Sequence, residues 1–131
     1  MNQTTNYSLN LPSGEDYYSI EHQNENMRAL DTAVFERVGA GRYVGNGEEE
    51  HTISLPRTPR FVLILREGSR MQDESVHYGG LAVEGAPAVA VGYEYIRLTE
   101  NGFTLRHLPH IDTFTSLNVN TDGVAYHYLW G

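Results

Sequence analysis

Cysteine is absent from this chain of 131 residues, which excludes disulfides and thiolate metal sites. Lysine is absent too: all nine basic residues are arginine, set against 17 aspartates and glutamates, for a net charge of −8. A chain this acidic lacks the basic patch that nucleic acid attracts, so nucleic acid is not an expected partner. Long apolar runs are also missing. The longest, Phe61-Val62-Leu63-Ile64-Leu65, is far too short to cross a bilayer, and no membrane insertion is expected. The opening "MNQTTNYSLNLPSGED" has neither a basic n-region nor an apolar h-region, so synthesis in a cytoplasm without a secretory signal is expected. What remains is 40% hydrophobic and 20% charged, the composition of a folded globular protein with one modest core.

Along the chain the hydrophobic period changes once. Residues 1–14 read as a polar, extended arm with Tyr7, Leu9 and Leu11 as isolated anchors, closed by a turn at Pro12-Ser13-Gly14. From about Asp16 to Val38 the pattern is helical. Ser13 or Asp16 can cap the start, Glu15, Asp16 and Glu21 favour the first turn, and Gly39-Ala40-Gly41 marks the stop. Ile20, Met27 and Val34 recur at heptad spacing, with Leu30 at a d position, while Gln23 and Arg37 occupy the other d positions. So narrow a stripe cannot offset the ordering entropy of an isolated helix. The helix must lie on the β part or on copies of itself, and Asn24 and Asn26 near the seam fit a polar register device in an oligomer.

From Arg42 the period is two. "HTISL" alternates, and "FVLILRE" is a continuous apolar strand of the kind expected to be central and covered on both faces. "VHYGGLAV" and "AVAVGY" are strand-like, separated by a Gly-Ala-Pro turn. "YIRLTENGFTLRHL" is a hairpin about Glu100-Asn101-Gly102, and "SLNVNTDGVAYHYLW" reads as a second one about Asp122-Gly123, with Val124, Tyr126, Tyr128 and Trp130 on one face of its last strand. Some seven or eight short strands with regular turns predict a mainly β fold. The expected form is an antiparallel β-sandwich preceded by an N-terminal arm and one α-helix, with residues 1–41 as arm and oligomerising helix and 42–131 as the β module.

No catalytic constellation is visible. His107 and His110 of "HLPH" stand three apart, but Pro109 opposes the helix that would aim both at one metal. Glu48-Glu49-Glu50 reads as a solvated turn, and "NTDG" lacks the later glutamate of a calcium loop. No phosphate loop or nucleophile motif is present. Neither an enzyme, a cofactor nor a bound metal is expected, except that a symmetric trimer could bring three copies of one histidine to its axis. Binding has better support. "EGSRMQDESVHYGG", residues 67–80, reads as a long polar insertion presenting Arg70, Gln72, Asp73, His77 and Tyr78; "RHLPHIDTF", residues 106–114, is a second candidate loop containing His107 and His110. Planar hydrogen-bonding groups and aromatics in such numbers suit sugars and protein surfaces.

The segment "TTNYSLNLPSGEDYYSIEHQNENMRALDTAVFE" resembles the N-terminal segment of tail-fibre and related tail proteins of bacteriophages and prophages of Gram-positive bacteria. Tyr7, Pro12, Asp16, Tyr17, Tyr18, Ile20, Asn24, Asn26 and Asp31 carry that likeness. "YVGNGEEEHTISLPRTPRFVLIL", "LTENGFTL" and "NVNTDGVAYHYLWG" are similar to the C-terminal β module of such fibres. The longer members have a shaft where this chain passes almost directly from helix to β module, which suggests a compact tail appendage. The resemblance implies a homotrimer in the virion tail, receptor binding at the host surface and no cofactor. Such a trimer would be joined by Ile20, Met27, Leu30 and Val34, would contact other tail proteins through the arm, and would bind a host surface polysaccharide through the β modules. A structural tail or baseplate subunit and a bacterial carbohydrate-binding module are the alternatives.

Overall fold

The computed structural model describes residues 2–11, 20–35 and 38–131, with only the backbone of Val34 and Phe35. The chain is mainly β, with antiparallel principal sheets and one α-helix among the described residues. It divides into two compact units, Met1–Arg37 and Val38–Gly131.

In the first unit the arm is folded back rather than extended. β1 (Asn2–Gln3) and β2 (Asn10–Leu11) pair antiparallel, and the turn between them is closed by Thr4, whose N–H donates to the Leu9 carbonyl and whose Oγ1 accepts the Leu9 N–H, both at 2.8 Å. The helix α1 spans Ile20–Phe35. The cap candidates Ser13 and Asp16, the Pro12-Ser13-Gly14 turn, Tyr17, Tyr18 and Arg37 lie outside the described residues. Asn26 is engaged by its own arm. Its Oδ1 accepts the Asn10 N–H at 2.6 Å and its Nδ2 donates to the Asn10 carbonyl at 3.1 Å. The half-buried side of the helix is thus the polar and small series His22, Asn26, Ala29 and Ala33. The apolar stripe points elsewhere: Ile20, Met27 and Leu30 are 67%, 62% and 45% exposed in the single chain.

The second unit begins with β3 (Gly39–Val44), so Gly39-Ala40-Gly41 is the start of a strand and not a helix stop. The glycines are there for close approach: a Cβ at Gly39 would overlap the Trp130 ring, and one at Gly41 the Tyr128 ring. β4 (Glu50–Ser54), β5 (Phe61–Arg66), β6 (Gln72–Asp73), β7 (Val76–His77), β8 (Gly80–Val83), β9 (Ala88–Ala90), β10 (Tyr93–Thr99), β11 (Gly102–Arg106), β12 (Ser116–Leu117) and β13 (Ala125–Trp130) follow. One sheet has the order β3-β13-β5-β8 and the other β4-β11-β10-β9, each with four strands. Their inner faces share a core in which Val62, Ile64, Ile96, Phe103, Leu105 and Tyr126 are fully buried. Tyr43 stacks on Tyr126 with ring centroids 5.0 Å apart. The Tyr126, Tyr128 and Trp130 face forms as the alternation predicts. β4 and β5 belong to opposite sheets, and Pro56 and Pro59 lie in the crossover between them.

Two further sequence expectations fail. β5 is an interior strand, but only its Val62–Ile64 face is sealed, while Leu65 on the other face is 42% exposed. The hairpin about Glu100-Asn101 forms, with Thr99 opposite Gly102, whereas the one about Asp122-Gly123 does not. β12 instead pairs in parallel with β7, and β13 inserts between β3 and β5. Side chains take over the work of a ladder along residues 118–121. Tyr43 Oη donates to the Val119 carbonyl and Tyr126 Oη to the Asn118 carbonyl, both at 2.7 Å, and the Thr121 N–H donates to Tyr126 Oη at 3.1 Å.

Candidate functional site

The polar insertion of residues 67–80 is structured. Asp73 pairs with Val76 and Gln72 with His77, with Glu74 at φ 54° in the turn, so that β6 and β7 make a short hairpin. On it Arg70 and Asp73 are exposed and 4.0 Å apart, a contact of little energetic weight. Gln72 donates to the Glu74 carbonyl at 2.7 Å and braces the turn. His77 is half-buried with its ring 5.8 Å from that of Tyr95, and burial lowers its pKa. Tyr78 is half-buried beneath the Arg66 guanidinium, 4.8 Å from the ring centroid.

β12 joins this hairpin to the second candidate loop. Its Leu117 sits beside His77 on one side and bridges Leu108 on the other. The two regions singled out in the sequence are therefore parts of one small layer. Within it His107 and His110 have different fates. His110 is exposed. His107 is buried, and its Nδ1 accepts the Asn120 N–H at 3.2 Å, which fixes the tautomer with the proton on Nε2. Burial, then the nearby His110, lowers its pKa, against a smaller upward pull from a hydrogen bond to the Leu117 backbone. His107 thus has a structural bond to the Asn120 backbone, and it also borders the cavity described below. Among the described residues no three His, Asp or Glu side chains gather as a metal site.

Asn120, which the sequence reading passed over, organises this end of the unit. It is fully buried. Its Oδ1 accepts from His51 Nδ1 at 2.7 Å and from the Asn46 N–H at 3.2 Å, its Nδ2 donates to Asn46 Oδ1 at 2.6 Å and to the Glu48 carbonyl at 3.0 Å, and its carbonyl accepts the Gly47 N–H at 2.9 Å. A buried amide satisfied so fully holds the acidic turn in a fixed shape.

That turn and the 106–111 segment border a cavity of about 450 Å³ floored by Leu108, Pro109 and Ile111 and edged by Glu49, His107 and His110. A second cavity of about 340 Å³ lies among Glu50, Glu94, Arg97 and Thr104. Tyr93 and Arg106 line both. The Arg106 guanidinium lies 5.2 Å from the centroid of the Tyr93 ring and reaches Glu49 Oε1 at 3.4 Å. Together they form a ridge between two polar grooves. The period-two pattern of "YIRLT" and "GFTLR" places Arg97, Thr104 and Arg106 on one face. The pairing Arg97↔Thr104 and Arg106↔Glu50 across strands is what gathers them, and that pairing is not written in any one segment. The arrangement suits a polar ligand of extended shape, gripped by planar carboxylate and guanidinium groups beside an aromatic ring. No family model, curated protein or solved structure matches the chain.

Proposed function

We propose that the chain is a bacteriophage or prophage tail-fibre or receptor-binding protein that attaches, as a homotrimer, to a glycan of the host cell surface. The observation that carries this reading is the pair of polar grooves meeting at Tyr93 and Arg106. Adjacent cavities of about 340 and 450 Å³ are of a size to hold successive units of a polymer. The structured β6–β7 hairpin, with Arg70, Gln72, Asp73 and Tyr78, offers a further contact surface on the same unit. The exposed stripe of Ile20, Met27 and Leu30 supports a helical join between copies. Each groove binds weakly, and three copies supply avidity.

The test is binding of the purified full chain to cell-wall polysaccharides from a panel of Gram-positive bacteria, with mass in solution measured alongside. A trimer that binds one wall type, and loses at least tenfold in binding with Tyr93→Ala or Arg106→Ala, is the expected result. A monomer, or binding untouched by both substitutions and by replacement of residues 70–78, overturns it. Retention by tail proteins and not by cells would identify a structural tail subunit instead.

A further inference from the structure

The outer side of the β3-β13-β5-β8 sheet is apolar across its full width. The pairing register sets Ala40 beside Leu129, Leu129 beside Leu63, and Leu63 beside Leu81, one residue from each of the four strands in a single rank. Phe61 and Val83 form a neighbouring rank, and Leu65 and His127 the one on the other side. Leu81 is 53% and Leu129 42% exposed. Charge appears only at one end, where Glu67 takes contacts from Arg42 at 3.8 Å and His127 at 3.3 Å. Antiparallel sheets with one solvated face normally alternate apolar inward and polar outward. This sheet is apolar on both faces.

We propose that this face packs against the β unit of a second copy of the chain. The inference rests on the self-association in the function proposed above, and it names a contact that the helix stripe does not supply. Two considerations select the occupant. First, with strands about 4.8 Å apart and residues about 3.3 Å along them, the patch covers on the order of 300 Å². A free partner needs roughly 800 Å² on each side for a stable complex. The patch is too small to capture a partner from solution, but sufficient for one already held close by joined helices, where effective concentration replaces area. Second, the whole chain carries −8, so copies repel in general. On this face the exposed charges of Arg42 and Glu67 already balance, and its closure buries no net charge.

The experiment compares three double variants of the full chain by sedimentation over a range of concentrations: L81E/L129E on this face, M27E/L30E on the helix, and S54E/V89E on the opposite sheet. L81E/L129E is expected to raise the concentration at which the oligomer dissociates at least tenfold, with S54E/V89E unchanged. Because the chain has no cysteine, Leu129→Cys provides a single thiol. Its alkylation is expected to be at least tenfold slower in the oligomer than that of Thr52→Cys. Dissociation by M27E/L30E alone, with the two thiol variants alkylated at equal rates, overturns this inference and leaves the homotrimer standing. A wild-type chain that is monomeric throughout overturns both.

Discussion

The two sheets of the β unit present opposite chemistries to the outside. On one, Glu50, Thr52, Arg97, Thr104 and Arg106 form a polar, grooved surface; on the other, Ala40, Leu63, Leu81 and Leu129 form a flat apolar one. Both close the same core, so folding of this unit does not require the difference. The inner faces are what the fold consumes. What the outer faces carry is available for contact, in our proposal the first with a polar ligand and the second with another copy of the chain.

Substitutions can break or sharpen this contrast. The largest effect belongs to a single strand read on its two sides. Ile64→Ala, on the sealed face of β5, is expected to cost about 2–5 kcal/mol in denaturant unfolding, whereas Leu65→Ser, next to it on the outer face, should stay within roughly 0.5 kcal/mol when measured below the concentration of self-association. Equal losses would mean that the outer face is not outside. Next is Asn120→Ala. Loss of its amide removes the hydrogen bonds to Asn46, the Glu48 carbonyl and the His51 ring from a fully buried position, and about 1–3 kcal/mol of destabilisation is expected. Groove binding should weaken as well, because the acidic turn loses its anchor. Val91, in the turn between β9 and β10 beside the smaller groove, has φ 54°, a conformation in which a β-branched residue is strained. Val91→Gly is expected to stabilise by about 1 kcal/mol, read as a higher melting midpoint.

The smallest effect is the response to pH. Burial holds His77 and His107 below the ordinary value of 6.5. Below that pH the unfolded chain takes up protons that the folded chain resists. Their contribution to stability is therefore complete above about 6.5 and declines as pH falls through the lowered folded values. Unfolding midpoints at pH 7.5 and 5.5 measure the slope, and His107→Gln should flatten it.

Much of the architecture is legible in the sequence because alternation is a local signal. β5, the β10–β11 hairpin and the aromatic face of β13 all follow from period two and turn residues. The failures concern partners. "SLNVNTDGVAYHYLW" contains a proper turn, yet Leu117 pairs with His77 in parallel because Tyr43 and Tyr126 satisfy the backbone beyond it. Asn26 has the position of an oligomer register residue, yet Asn10 offers it both a donor and an acceptor. The glycines at 39 and 41 resemble a helix stop until the rings of Trp130 and Tyr128 are seen above them. Of the candidate binding residues, Arg70, Gln72, Asp73 and His110 remain exposed, while His107 has gone inside and His77 and Tyr78 halfway. The ridge of Tyr93 and Arg106 depends on cross-strand neighbours and is invisible to a linear reading.

β3 and β5 do not pair with each other; both pair with β13, which is made long after them. Until β13 is translated, the edge it takes on each of the two strands is bare, β5 having β8 on its other side, and the aromatic stack has only one of its tyrosines. Arrival of Ala125–Trp130 closes both seams in one event, so β3 joins the β5-β8 pair only then, and chaperones have most to guard in the interval before that strand emerges.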